Sequence, residues 1–242
     1  FYQGVVRILI GVFKLYVVYD LFIRGIIEAQ ELMFYKIPGS YGILEMHSFV
    51  LIYLLSVYFN FSSYTDIAVG SGKILNIPIM ENFNYPFLSR NLQVFWKRWH
   101  MSLGNFAFNY VYFPLVKLAR GKASLCIFIT FFLVGMWHTL SQQFFIYGLL
   151  HGTALAYLII LGKMQERFAI LGKLKNNIIY IVISWYITII YASWTWAFAT
   201  APDLEKAMID KKPYAHYIVT QWLMETSLIA DFISKQTLPV HV

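Results

Sequence analysis

Ile178-Ile179-Tyr180-Ile181-Val182-Ile183-Ser184-Trp185-Tyr186-Ile187-Thr188-Ile189-Ile190-Tyr191-Ala192-Ser193-Trp194-Thr195-Trp196-Ala197-Phe198-Ala199 runs without a single formal charge. At ~1.5 Å per residue a helix of this length reaches about 33 Å, enough to cross a hydrocarbon core of ~30 Å. Its aromatic series Trp185, Tyr186, Tyr191, Trp194 and Trp196 suits a headgroup belt. Phe144–Leu161 is a comparable span, and Leu44–Phe59 is interrupted only by Glu45, His47 and Ser48 near its start. Val5–Ile23 is apolar but carries Arg7, Lys14 and Asp20, so it is expected to lie against other helices or at the interface. Leu125–His138 is too short to cross alone and must extend into Thr139–Gln143 or stop inside the protein.

The whole chain agrees with these spans. Of its 242 residues, 59% are hydrophobic, 19% aromatic and 13% charged, against roughly 45–50% apolar and ~25% charged in soluble domains. That excludes a water-soluble globule and a disordered chain. A net charge of +7 without a contiguous basic tract gives no support to nucleic-acid binding. The single cysteine, Cys126, permits neither a disulfide framework nor a thiolate metal cluster. The chain opens on Phe1 without a signal-peptide pattern, so it is expected to be processed or a piece of a longer protein.

One membrane domain, 1–242, is therefore expected, all-α and polytopic. Its parts are membrane helices over 1–59, a motif-rich re-entrant or amphipathic region over 60–124, membrane helices over 125–199 and an interfacial tail over 200–242 with an amphipathic helix near Tyr217–Ile233. The middle region holds Pro78, Pro86 and Pro114 and the densest polar pattern. Irregular backbone at membrane depth survives only where protein buries it or water lines it, so a site belongs there. With alternating spans, one face receives Lys73, Arg90, Lys97, Arg98, Lys117, Arg120, Lys122, Lys163, Arg167, Lys173 and Lys175, eleven of the nineteen basic residues. By the positive-inside tendency that face is cytoplasmic.

Histidine is the side chain suited to proton transfer near neutral pH. His100, His138 and His151 lie near or within apolar sequence, flanked by aromatics or glycine, whereas His47, His216 and His241 read as structural or solvated. A histidine beside tryptophan at a helix end is also a common interfacial anchor. His151, flanked by glycine, reads more readily as packing between close helices, and Asp66 as orienting a partner or capping a helix. Trp96, Trp99, His100 and Leu103 fall at i, i+3, i+4 and i+7, predicting one helical face with Lys97 and Arg98 projecting elsewhere. Phosphate-loop, dinucleotide, zinc-protease and serine-hydrolase motifs are absent from the sequence, and no metal site is expected. A haem- or quinone-binding subunit stays open, because paired helical histidines can ligate iron.

Six ordered strings carry a resemblance: Tyr58 to Gly70 (YFNFSSYTDIAVG), Glu81 to Ser89 (ENFNYPFLS), Phe95 to Leu103 (FWKRWHMSL), Tyr110 to Leu115 (YVYFPL), Gly135 to His138 (GMWH) and Tyr147 to Gly152 (YGLLHG). Together they resemble the membrane-bound O-acyltransferase family, in its alginate O-acetyltransferase and D-alanyl transfer branch. The resemblance implies a helical bundle around a tunnel, of which this chain is similar to the C-terminal half to two-thirds. It implies that His138 is the catalytic base and His100 its companion, with Trp99, Trp137, Asn84, Asp66, Arg98 and His151 as candidates for binding substrate. It further implies transfer of an acyl group, expected to be acetyl, from a cytoplasmic thioester to a hydroxyl of an extracytoplasmic polysaccharide or related acceptor. No bound cofactor is implied; acyl-coenzyme A or an acylated carrier protein is the donor. Lipids, the acceptor polymer and other envelope-assembly subunits are the expected partners, and a bacterial plasma membrane the expected location. Phe108, Asn109, Thr139 and Asn60 depart from the family pattern. Phe108, Asn109 and Thr139 keep a second expectation open, a catalytically degenerate scaffold subunit of a larger membrane complex.

Overall fold

A computed structural model describes residues 1–29, 42–167 and 177–200, with Thr200 as backbone only. Among them every regular element is helical, and three helices are long and apolar enough to cross a membrane. The expected tail helix, His216 and His241 lie outside the described residues.

Helix α1 (Tyr2–Phe13) continues into wider π-helical turns over Lys14–Ile23 and lies against α2 (Ile43–Leu75). Glycines create this close approach, since a Cβ on Gly4 would stand 2.6 Å from the Gly70 carbonyl oxygen, and one on Gly11 would stand 2.7 Å from that of Ser63. Small residues bring membrane helices together where no hydrophobic effect drives them. Helix α2 runs well past Phe59, where the sequence suggested a break: its polar second half pairs with α1 instead of unwinding. It stops at Asn76, whose left-handed φ of 56° closes the C-terminus.

A 3-10 turn (Pro86–Leu88) leads to the five-residue α3 (Leu92–Trp96), opened by Asn91, whose side-chain oxygen accepts the Val94 N–H at 2.9 Å. The continuous helical face expected from Trp96 to Leu103 does not form. The chain turns at Lys97–Trp99, His100 takes φ 47°, and α4 (Met101–Ala107) starts in a new direction. A left-handed residue cannot sit inside an α-helix, so Trp96 and Trp99 share a core while His100 leaves it. After π-helical turns over Phe108–Tyr112 come α5 (Phe113–Leu118), with Pro114 in its first turn, and α6 (Ala123–His138).

With His138 half-buried and Trp137 and Leu140 exposed on either side, helix α6 ends at His138 and does not extend into Thr139–Gln143. It forms a tight hairpin with α7 (Gln142–Arg167), and a Cβ on Gly135 would stand 2.6 Å from the Gly148 Cα. Helix α8 (Ile178–Thr200) runs antiparallel to α7, with Gln165 Nε2 donating to the Tyr180 hydroxyl at 3.3 Å where α7 leaves and α8 enters. At the far end of α8, Trp194 and Ala197 pack with Met46, Phe49 and Val50 from the start of α2. The larger core joins Leu54 of α2, Leu92, Phe95, Trp96 and Trp99, Ile127 and Phe131 of α6, Tyr147 and Leu155 of α7, and Ile189 and Ala192 of α8. The short α3 and its turn are thus clasped by the spanning helices.

Candidate active site

The Lys97–His100 turn is fixed by an extended segment before it. The Asn84 N–H donates to the Arg98 carbonyl at 3.0 Å, and the Asn82 carbonyl accepts the Met101 N–H at 2.9 Å. The Asn82 side chain accepts the Ser102 N–H at 3.1 Å, supplying from a distance the cap that α4 lacks locally. That segment is moored in turn, because Glu81 pairs with Arg7 at 2.6 Å. Arg7 also grips Asp66 at 2.6 Å, and Lys14 grips the other Asp66 oxygen at 2.7 Å. Asp66 is 3% exposed in the middle of α2. A lone carboxylate there would be costly, and two cations one heptad apart, Arg7 on α1 and Lys14 at the start of the π-helical turns, resolve it. Asp66 therefore caps no helix: it holds Arg7, which in turn pairs with Glu81 at the start of the segment that reaches Asn84.

His100 sits edge-on to the Phe61 ring at 4.7 Å and its Nδ1 lies 3.4 Å from the Ser102 hydroxyl. Burial first, and the nearby His138 second, push its pKa down to about 4, so it stands neutral at physiological pH. It lines a cavity of about 370 Å³ with Ser102, Phe106, Val111, Leu133 and Trp137. No carboxylate or cationic side chain is among the lining residues.

His138 ends α6 half-buried in an aromatic box. Its ring stacks on Phe144 at 5.2 Å and meets Trp137, Trp196 and Tyr147 edge-on at 5.0, 6.0 and 6.4 Å. His138 is not among the residues lining the cavity beside His100, whereas its neighbour Trp137, 63% exposed, is. Thr139 follows with φ −169°, extended backbone that any residue adopts, so threonine replaces the expected glycine without strain.

The other candidates fall into different settings. Trp99 is buried among Tyr58, Phe83, Phe87 and Phe95, a core ring and not a wall of the cavity. Asn84 and Arg98 meet through backbone, with the Asn84 side chain exposed. His151 is 1% exposed, and both its ring nitrogens are engaged by protein, leaving no lone pair for a substrate or an iron. Of the departures, Phe108 packs with Tyr112 and Phe113, and Asn109 is exposed. The sequence reading missed Asn82, Glu81 and Arg7 as the groups that place His100. Asn82 and Glu81 were visible within the ENFNYPFLS string, but nothing local shows what they hold.

Two histidines thus converge from separate elements onto one end of the α6–α7 hairpin, one neutral in an apolar cavity and one boxed by aromatic rings. The family model for MBOAT, the membrane-bound O-acyltransferase family, matches residues 2–199. The chain belongs to that family. It is 35% identical over 162 residues to a peptidoglycan O-acetyltransferase of Helicobacter pylori, covering 65% of this chain and 29% of that protein. It is 32% identical over 196 residues to a teichoic acid D-alanyltransferase of Bacillus subtilis, covering 76% of this chain and 48% of that one. A probable alginate O-acetylase of Pseudomonas aeruginosa is 35% identical over 144 residues, 57% of this chain and 27% of its own length. This MBOAT chain spans less than half the length of these relatives.

Proposed function

We propose that the protein carrying this chain is a multi-pass O-acyltransferase of a bacterial plasma membrane. It moves an acetyl group from a cytoplasmic thioester, acyl-coenzyme A or an acylated carrier protein, to a hydroxyl of an extracytoplasmic polysaccharide or related acceptor. The observation that carries the reading is His138, an imidazole held half-buried at the end of α6 close to a second, neutral imidazole. In the step, His138 takes the proton from the acceptor hydroxyl while its oxygen attacks the thioester carbonyl. The C–S bond breaks, and the departing thiolate recovers the proton from His138. General-base assistance is worth ~10²–10⁴-fold, and fixing donor and acceptor in line supplies the rest. His100, neutral and a hydrogen-bond donor or acceptor according to tautomer, orients the reacting group.

The cavity beside His100 favours acetyl over an amino-acyl group. Its lining holds no carboxylate to pair with an ammonium, and an unpaired buried charge is costly. The relatives include enzymes named for each transfer, so this is a choice between precedents. The experiment uses the full-length protein in membranes with labelled acetyl and D-alanyl thioesters. Acetyl is expected to reach the polymer and D-alanyl not, and His138→Ala is expected to lower transfer by at least about 10²-fold. Wild-type rates in His138→Ala would end the catalytic assignment. A folded full-length protein that transfers neither group would favour the scaffold reading suggested by Phe108 and Asn109.

A further inference from the structure

Among the described residues, helix α3 packs into the apolar core and makes one long-range side-chain hydrogen bond there. Trp96 Nε1 lies 3.2 Å from His151 Nδ1, and His151 Nε2 lies 2.9 Å from the Thr195 hydroxyl, which is 2.8 Å from the Tyr191 carbonyl. Indole N–H only donates, so His151 Nδ1 must be the bare nitrogen. The ring proton is then on Nε2, donated to Thr195, and Thr195 donates its own to the Tyr191 carbonyl. One neutral tautomer satisfies every group. A second proton on His151 would set two N–H groups against each other at Trp96. The imidazole cannot work as a base without breaking this chain, yet it joins α3, α7 and α8.

Both candidate catalytic histidines hang on those three elements. Trp96 is the last residue of α3, and His100 follows after a single turn. On the other side, the His151 ring packs on Tyr147 at 4.4 Å, and Tyr147 and Trp196, next to Thr195, form two walls of the His138 box. We infer that His151 is a positioning residue: its fixed tautomer sets the His100 turn against the His138 box and touches no substrate. The inference rests on the acyltransferase reading, since the alignment it secures matters only if both histidines serve one reaction.

The test compares His151→Gln and His151→Phe in the full-length protein. Glutamine offers an acceptor and a donor spaced much like the two ring nitrogens but takes no proton, whereas phenylalanine fills the space and keeps neither bond. Displacements near 1 Å cost up to ~10²-fold in rate. His151→Phe is therefore expected to lose at least about 10-fold in kcat with KM unchanged, and His151→Gln to recover to within about 3-fold. Folded amount is normalised by monodisperse elution in detergent. Equal loss in both folded variants, or no loss in His151→Phe, overturns the inference. If His151→Phe does not accumulate, Trp96→Phe, which keeps a ring and removes one hydrogen bond, carries the test. Lowered kcat at constant KM then supports positioning, and unchanged kcat overturns it. Failure of the acyltransferase reading looks different: the wild type itself transfers nothing, or His138→Ala stays active.

Discussion

At His100 the backbone adopts φ 47°, a conformation that costs an L-residue roughly 1–2 kcal/mol and that histidine tolerates better than most. The cost is offset by Asn82, whose carbonyl and side-chain oxygens accept the next two backbone N–H groups, those of Met101 and Ser102. Burial keeps the ring neutral down to about pH 4, which has a consequence for stability. In the unfolded chain the ring takes a proton near its ordinary ~6.5, while in the folded chain it does not, so the unfolded state binds more protons in that interval. Stability is therefore expected to fall as pH drops from about 6.5 toward 4 and to be flat in this respect above about 7. Thermal melts of the full-length protein in detergent at pH 7 and pH 5 read the drop, and His100→Gln is expected to reduce it. An identical drop in that variant would assign it to other groups.

Among the elements, the α6–α7 hairpin carries the most demanding packing. A Cβ on Gly148 would stand 2.8 Å from the Phe132 carbonyl oxygen and 3.1 Å from its Cα, and backbone cannot move aside as a flexible side chain can. Gly148→Ala is expected to destabilise the protein by about 1–3 kcal/mol, read as a lowered melting temperature, because overpacking pushes the helices apart. The sequence showed Gly148 within YGLLHG but not what faced it. Apolar length foresaw α8 and α7, since a long apolar run needs no partner to be a helix in lipid, whereas helical periodicity was the guide over the short polar segments. Periodicity failed over Trp96–Leu103, where i, i+3, i+4 spacing predicted one helix. There a tertiary cap from Asn82, far from the local pattern, stabilised a break.

For the whole molecule, the packing of helix ends adds to the charge argument. The start of α2 meets the end of α8, and the end of α7 meets the start of α8, so α2 and α7 run in the same direction and α8 runs back between the same two ends. Asn76 and Lys163 then belong to one membrane face and Leu44 to the other. Single cysteines placed at those three exposed positions are expected to label from the cytoplasm at the first two and from outside at Leu44, over a quiet background because Cys126 is 1% exposed. Labelling of all three from one side would refute this arrangement.

Contiguous sequence alone determined that the chain is helical and apolar enough for a membrane, where its apolar runs lie and which strings mark the family, because apolar length and residue order are properties of contiguous sequence. The continuation of α2 to Leu75 was not among these. Tertiary structure alone decided that Asp66 serves two cations, Arg7 and Lys14, that Trp99 is core, and that His151 spends both nitrogens on Trp96 and Thr195, 55 and 44 positions away. A buried polar group must find a partner, but the chain records no preference for which one until folding brings distant segments within hydrogen-bond reach.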